Sequence, residues 1–346
     1  MYIESMNSHI LRPSPTFAGI LSRFLFAFLM TFPVGLLPAQ RVETVPPTPP
    51  AAAVEWRATS AQHAYGFPEV KPNKKGTLTL DAAGLTFTGK TFNTTLPRGS
   101  ITAVSAGNDR VELWGTGGRL LRMAIPQGGG LAAAAVMHHR VDMLTVEFHD
   151  THGGAHSAVF YLPATEADKA LTHFTVTPAA TPVVAEGCGT NPVDPRSVLV
   201  KRPEWKSVEV PAAYRALVYE HMIDRLKAVK DVGSVYREGE IVHGMACPHY
   251  TIAVAIEGYK KGNQVVRAAT GPIGMFTSAT QMRFAVTYTD ATAGLVKTEE
   301  VKAAVRTESE STGVADSVAK KLAKQYGKLL KDQAKVTTAA ARPDAR

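Results

Sequence analysis

Apolar positions in the first half of the chain recur at every second residue, the period of a strand with one buried face. Leu78 and Leu80 alternate with threonines, Asp81-Ala82-Ala83-Gly84 carries turn chemistry, and Leu85 and Phe87 resume the alternation. Ile101–Ser105, Val111–Trp114, Leu120–Ile125, Met143–Phe148 and Ala158–Leu162 read as further strands, and Asp150-Thr151-His152-Gly153-Gly154 reads as the turn joining the last two. The period then changes. Over Ala164–Phe174, residues Ala167, Ala170, Leu171 and Phe174 share one helical face.

The second half mixes the two periods. Val198–Val200 and Val208–Val210 predict strands, and Pro211 opens a helix on which Tyr214, Leu217, Val218, Met222, Leu226 and Val229 face a core. Tyr250–Ile256, Val265–Ala269, Met282–Thr289 and Val296–Val305 alternate as strands of an antiparallel meander, and Gly313–Leu330 closes as a helix. Strand, helix, meander and helix together predict an α+β sandwich.

Breaks in these patterns divide the chain. An uncharged run of 14 residues, Phe24–Leu37, follows Arg12 and Arg23. A membrane-spanning helix needs about 20 apolar residues, so the run fits a secretory signal over 1–39, with Leu37-Pro38-Ala39 as the cleavage site. The alternative is an uncleaved signal anchor that tethers the chain to a membrane. A Pro-rich leader follows over 40–54, then a first folded part over 55–175. A linker rich in Pro and Gly spans 176–196, a second folded part spans 197–332, and an Ala-rich disordered tail spans 333–346. The length of 346 residues suits two domains with extra segments, and 45% apolar against 20% charged residues is a globular composition.

Seven short strands followed by a closing helix, with LTVEFHDTHGGAHSAVFYLPATEADKAL as last hairpin and cap, resemble the pleckstrin-homology-like superfamily in its small bacterial form over residues 75–175. The resemblance implies an all-β barrel with a C-terminal capping helix. Lipid-binding members of that superfamily use basic residues in the first hairpin loop. Here that loop, Asp81–Gly84, has no Lys or Arg, while Lys71, Lys74 and Lys75 lie just before the first strand. Protein docking or a structural role is the better implication. The early helix, the segment MRFAVTYTDATAGLVKTEE and the Lys-rich terminal helix resemble, over 197–331, uncharacterised bacterial envelope domains near the curli-secretion lipoprotein and the N-terminal domain of TolB. Many such relatives are lipoproteins, and this chain has no lipobox cysteine. That resemblance implies a binding or assembly part without catalysis.

Candidate chemistry is sparse. Five of the 11 histidines fall at His138, His139, His149, His152 and His156, and the last three surround one turn where a zinc or copper ion could sit. Gly153-Gly154 argues against a helical ligand pair, and exposed hairpin histidines are the competing reading. His243, Cys247 and His249 form a second group (HGMACPH). The only other cysteine is Cys188, so a Cys188–Cys247 disulfide competes there with free thiols and with a metal. GLTFTGKT at Gly84–Thr91 matches a phosphate-loop string, but its middle alternates as a strand and no helix follows. Gly128-Gly129-Gly130 lacks the lysine, and Glu299-Glu300 with Glu308 and Glu310 read as solvated acids. No GxSxG elbow occurs.

The net charge of +8 is local: from Val314 to Arg346, eight Lys and Arg stand against three Asp. Nucleic acid is therefore a poor partner. On the terminal helix Lys320, Lys324, Lys328 and Lys331 crowd the side opposite Val314, Val318, Leu322 and Tyr326, which suits an anionic envelope surface or plain solvation. The sequence thus predicts a non-catalytic exported protein, periplasmic or secreted, without cofactor and with an unknown envelope partner. Its alternative is an exported metal-dependent enzyme using one His group. No small-molecule substrate is indicated.

Overall fold

The computed structural model describes residues 53–112, 138–174, 192–205, 210–240, 247–262, 279–292, 294–305 and 313–340. The signal run, residues 40–52 of the leader, Leu120–Ile125, residues 176–191 of the linker with Cys188, Val208 and Glu209, His243, Val265–Ala269, Gly128–Gly130, Glu308 and Glu310 lie outside them.

The first sheet is antiparallel throughout. It holds β1 (Trp56–Tyr65), β2 (Lys75–Leu80), β3 (Gly84–Thr88), β4 (Asn93–Pro97), β5 (Ile101–Glu112), β6 (His138–His149) and β7 (Ala155–Leu162), in the order β4-β3-β2-β1-β7-β6-β5. Asp81 makes the β2–β3 turn by accepting the Ala83 and Gly84 amides at 2.8 and 3.1 Å. Two strands escape the sequence pattern. A register shift between Ala58 and Ala61 breaks the alternation of β1, and β4 buries only Leu96. Val111 belongs to β5 itself, which pairs along its length with β6 out to Glu112 opposite His138. β4 and β5 stand at opposite edges of the order, and no pairing among the described residues closes the sheet into the expected barrel.

β7 is followed by α1 (Glu166–Leu171), which buries Ala167 and Ala170. Thr165 gives its N-terminus no side-chain cap. Instead buried Asp142 of β6 accepts the Ala167 amide at 3.3 Å.

The second sheet contains β8 (Val193–Val200), β9 (Glu204–Trp205), β10 (Ser234–Arg237), β11 (Cys247–Lys260), β12 (Thr280–Asp290) and β13 (Gly294–Val305). Its order is β10-β8-β11-β12-β13, with β9 beside β11. It is mixed and not the antiparallel sheet expected. β8 runs parallel to both β10 and β11, and α2 (Ala212–Lys227) carries the chain back over the sheet between β8 and β10, which allows that pair to run parallel. The β11–β12–β13 portion is the antiparallel meander. The final helix, α3 (Gly313–Ala340), continues past the expected end at Leu330 into the segment expected to be a tail. No helix among the described residues is long and apolar enough to cross a membrane.

Two cores result. Leu78, Leu80, Leu85, Phe87, Leu144, Val146, Phe148, Ala158, Phe160 and Leu162 fill one side of the first sheet together with α1. The alternate residues of β6 and β7, Val141, Met143, Ala155, Val159 and Tyr161, join a second core with α2, α3 and the second sheet. α2 buries Tyr214, Leu217, Val218, Met222 and Leu226, as its spacing predicts, and also Ala213, Ala216, Tyr219, Glu220 and Ile223. A helix apolar nearly all round packs on more than one side, and α2 meets α3 as well as β6 and β7.

Candidate binding cleft

The face of β6 and β7 that meets α2 also carries polar residues. Glu147 and Ser157 share the odd-numbered side with Met143 and Val159. They line a cavity of about 510 Å3 together with Arg215, Ala216 and Tyr219 of α2, Arg202–Trp205 of the β8–β9 segment, and Glu238 after β10.

A buried ion pair fixes the wall. Arg237 donates from Nη1 and Nη2 to the two Glu220 carboxylate oxygens at 2.9 and 2.8 Å, and from Nη1 to the Ala155 carbonyl at 3.0 Å. Glu220 also accepts the Ser157 amide at 2.8 Å. Burial opposes the charge on Arg237, but Glu220 outweighs it and holds the guanidinium above its ordinary pKa. The pair therefore stitches α2 and β10 to β7. Two glycines permit this approach. Gly66 has φ +85°, and a Cβ there would sit 1.8 Å from the Ser157 carbonyl oxygen; Gly239 has φ +80°, and its Cβ would lie 2.7 Å from the Gly153 oxygen.

Most ionisable groups of the cleft are already satisfied. Glu238 accepts the Arg202 amide at 2.7 Å and Arg202 Nε at 3.1 Å, and Arg202 Nη1 reaches Glu147 at 3.5 Å. The Glu238 amide donates to the Tyr219 hydroxyl at 3.1 Å, and burial pushes that phenol up, so it remains protonated. Arg215 differs. Its guanidinium lies 3.5 Å above the Trp205 ring, and its buried Nε has no hydrogen-bond partner. Burial lowers its pKa against the support of Glu147, and Arg202 lowers it further. Trp205 itself remains 46% exposed.

None of these residues stands out in the periodic patterns. Trp205 had one usable signal, as one of three tryptophans in the chain, set among charged neighbours outside any apolar period.

Of the histidines singled out from sequence, His149, His152 and His156 lie around the β6–β7 turn. Asp150 accepts the His152 amide at 2.8 Å and the Gly154 amide at 2.9 Å, and lies 3.0 Å from His156 Nε2. Burial would raise the Asp150 carboxyl, but these hydrogen bonds outweigh it and lower its pKa. The His156 ring stacks on Phe148 at 5.2 Å. Its pKa is lowered, first by burial and then by Arg237, despite Asp150. His149 is lowered too, mainly by burial. His138 and His139 pair across the ladder with Glu112 and Val111. In the second group, His249 sets Nδ1 3.2 Å from the Pro195 carbonyl and Nε2 3.0 Å from Asp290, while Cys247 is buried and disulfide-bonded. Among the described residues, no three His, Cys, Asp or Glu side chains converge as a metal set. Gly84–Thr88 of the phosphate-loop string forms β3, and Glu299-Glu300 lie on β13. Lys320, Lys324, Lys328 and Lys331 are exposed on α3, opposite buried Val314, Val318, Leu322 and Tyr326.

No protein-family model matches the chain, and no curated protein matches it. Among solved structures it is similar to the hypothetical protein CT253 from Chlamydia trachomatis, at 8% identity and a TM-score of 0.29, over 39% of this chain and 98% of that one. It is also similar to PelC from Paraburkholderia phytofirmans, solved as a dodecamer, at 16% identity and a TM-score of 0.27, over 36% of this chain and 83% of that one. Neither likeness carries a functional statement.

Proposed function

We propose that this chain is a non-catalytic exported protein of the cell envelope, a binding or assembly scaffold that recognises its partner through the Arg215–Trp205 cleft. The observation that carries this reading is Trp205, 46% exposed and stacked at 3.5 Å under a guanidinium whose buried Nε lacks a partner. Tryptophan and arginine dominate the energetics of interfaces, and a half-buried arginine beside a second arginine favours a carboxylate. An acidic side chain or a free carboxylate of an envelope partner suits that position.

Other features support the wider reading. The run Phe24–Leu37 has the length of a signal core, and a disulfide at Cys247 fits an oxidising compartment. Cys188, the chain's other cysteine, is its proposed partner. The order β4-β3-β2-β1-β7-β6-β5 with a short helix after β7 supports a pleckstrin-homology-like module, here serving as a docking platform. The exposed lysines of α3 supply a secondary contact with an anionic envelope surface.

The test places a photo-crosslinking side chain at Glu204, which lines the cleft, and in a control at exposed Lys169. In cells, Glu204 is expected to capture one partner that Lys169 does not, and Arg215→Ala or Trp205→Ala is expected to abolish the adduct. Failure to capture, or an adduct indifferent to both substitutions, would overturn the role of the cleft. Stoichiometric zinc or copper in the purified protein would favour a metal-dependent enzyme instead.

A further inference from the structure

The polar groups of the cleft divide into those committed within the protein and those left open. Arg202 and Glu238 are committed to one another, through Nε at 3.1 Å and Nη2 at 3.0 Å. The Tyr219 hydroxyl accepts the Glu238 amide and donates to the Val200 carbonyl at 3.5 Å. Arg215 is open. Its Nη1 and Nη2 make no hydrogen bond or ion pair among the described residues and, unlike its buried Nε, they keep accessible surface. The Ser157 hydroxyl also has no partner among the described residues, on a residue that lines the cavity and is otherwise 3% exposed. Of the Glu147 carboxylate only Oε2 is engaged, 3.5 Å from Arg202, and exposed Glu204 pairs with no described side chain.

These open groups call for opposite charges. Arg215 and Ser157 offer N–H and O–H donors, and the two Nη groups of a guanidinium match the two oxygens of a carboxylate. Glu147 and Glu204 offer acceptors, and Glu147 supports the Arg215 charge across the cavity without pairing with it. A simple anion would meet Arg215 but face three carboxylates against two guanidiniums. A simple cation would leave Arg215 unmet. A carboxylate with a positive charge a few bonds away suits both, and Trp205 supplies apolar surface for the methylenes between them. The last residue of a polypeptide has that form when it is lysine or arginine. At about 510 Å3, the cavity has room for such a residue and the start of the chain before it.

We infer that the cleft captures the C-terminus of a polypeptide partner that ends in lysine or arginine, its carboxylate on Arg215 and Ser157 and its cationic side chain on Glu147 and Glu204. The inference rests on the cleft being the docking site and adds which part of the partner enters it.

Fluorescence anisotropy of labelled short peptides titrated with the full chain tests this. A peptide ending in a free lysine carboxylate is expected to bind about tenfold or more tightly than its C-terminal amide, because amidation removes the charged acceptor. It is also expected to bind more tightly than the same peptide ending in leucine or glutamate. Arg215→Gln is expected to reduce the acid to the level of the amide, and Glu147→Gln/Glu204→Gln to reduce the lysine peptide to the level of the leucine one. Equal binding of acid and amide, or of lysine and leucine ends, would overturn the inference. So would equally tight binding of an end-blocked peptide with an internal aspartate, which would leave the cleft a site for acidic side chains. Free lysine binding as tightly as the peptide would overturn it in favour of an amino acid ligand. Binding of no peptide would overturn it as well, and the adduct at Glu204 in cells, with its loss in Arg215→Ala, reports separately on whether the cleft docks a partner at all. The comparison of acid with amide needs no substitution, so the test stands even where Arg215→Gln fails to fold.

Discussion

Arg237→Met removes the partner of a carboxylate that is 4% exposed, leaving Glu220 with the Ser157 amide as its remaining donor. Breaking one side of a buried pair costs about 3–5 kcal/mol, whereas replacing both sides with apolar groups is often close to neutral. Urea unfolding is therefore expected to show a large loss for Arg237→Met and most of it restored in Arg237→Met/Glu220→Leu; a double variant as weak as the single would show that the pair contributes net stability. Histidines set the acid limit. His63 is 1% exposed; its Nε2 accepts the Phe67 amide at 2.9 Å, so Nδ1 holds the proton and donates to the Lys71 carbonyl at 3.2 Å. Burial lowers its pKa below the ordinary 6.5, and His149, His156 and His221 shift the same way, each mainly by burial. The folded state thus binds fewer protons than the unfolded one just below pH 6.5. The contribution is whole above that pH and is lost as pH falls toward the folded values. Unfolding free energy is expected to drop between pH 7.5 and 5.5, with a shallower drop in His63→Asn, and a flat profile would contradict the burial argument. These residues are illegible in the sequence for a physical reason. Glu220, Arg237 and Ser157 meet across three elements, and nothing local distinguishes them from solvated charges, whereas the Asp81 turn closes within four residues and could be read.

Elements were legible where one face dominates. β12 buries every second residue from Thr280 to Asp290, and α3 buries Val314, Val318, Leu322 and Tyr326 in step. β7 reads as an apolar run, AVFYL, because Ala158, Phe160 and Leu162 enter one core while Val159 and Tyr161 enter the other. α2 behaves alike: its spacing announces one buried side, and Ile223 and Tyr219 on the rest of its surface reveal another neighbour only once the first sheet is in place. Parallel pairing of β8 with β10 and β11 left no mark in any single segment, since direction is a property of the connection. The lysine face of α3 was legible and leads to a prediction at this scale. Replacing Lys320, Lys324, Lys328 and Lys331 by Gln alters side chains that are all exposed. Stability is expected to change by no more than about 0.5 kcal/mol. Association with vesicles rich in anionic lipid is expected to weaken, most at low ionic strength, because each lysine near such a surface contributes about 1 kcal/mol and salt screens it. Sedimentation of vesicles with bound protein measures this, and unchanged, salt-independent binding would leave the lysines as a solubilising face.

At the scale of the whole molecule, the question is whether the two sheets behave as separate domains, as the sequence divides them at 176–196, although β8 already begins at Val193 inside that expected linker. Shared packing argues for mutual dependence. Val141, Met143, Val159 and Tyr161 of the first sheet occupy the same core as Leu217, Ile223 and Val254, and Tyr65 of β1 hydrogen-bonds Asp224 of α2 while its ring lies tilted against His221, 4.0 Å between centroids. Arg225 of α2 in turn pairs with Asp316 of α3 at 2.6 Å, so β1, α2 and α3 form one connected seam. Separate domains with a small polar interface would melt independently, whereas elements sharing an apolar core unfold together. A protease that nicks residues 176–191, ahead of β8, is therefore expected to leave both fragments associated and melting in one transition. Expressed alone, residues 53–174 are expected to expose the apolar side of β6 and β7, which would register as binding of a hydrophobic dye and as aggregation. A soluble fragment with its own sharp transition, and two transitions in the nicked protein, would instead show that each sheet carries enough of its own core, and that the residues shared through α2 add contact without adding cooperativity.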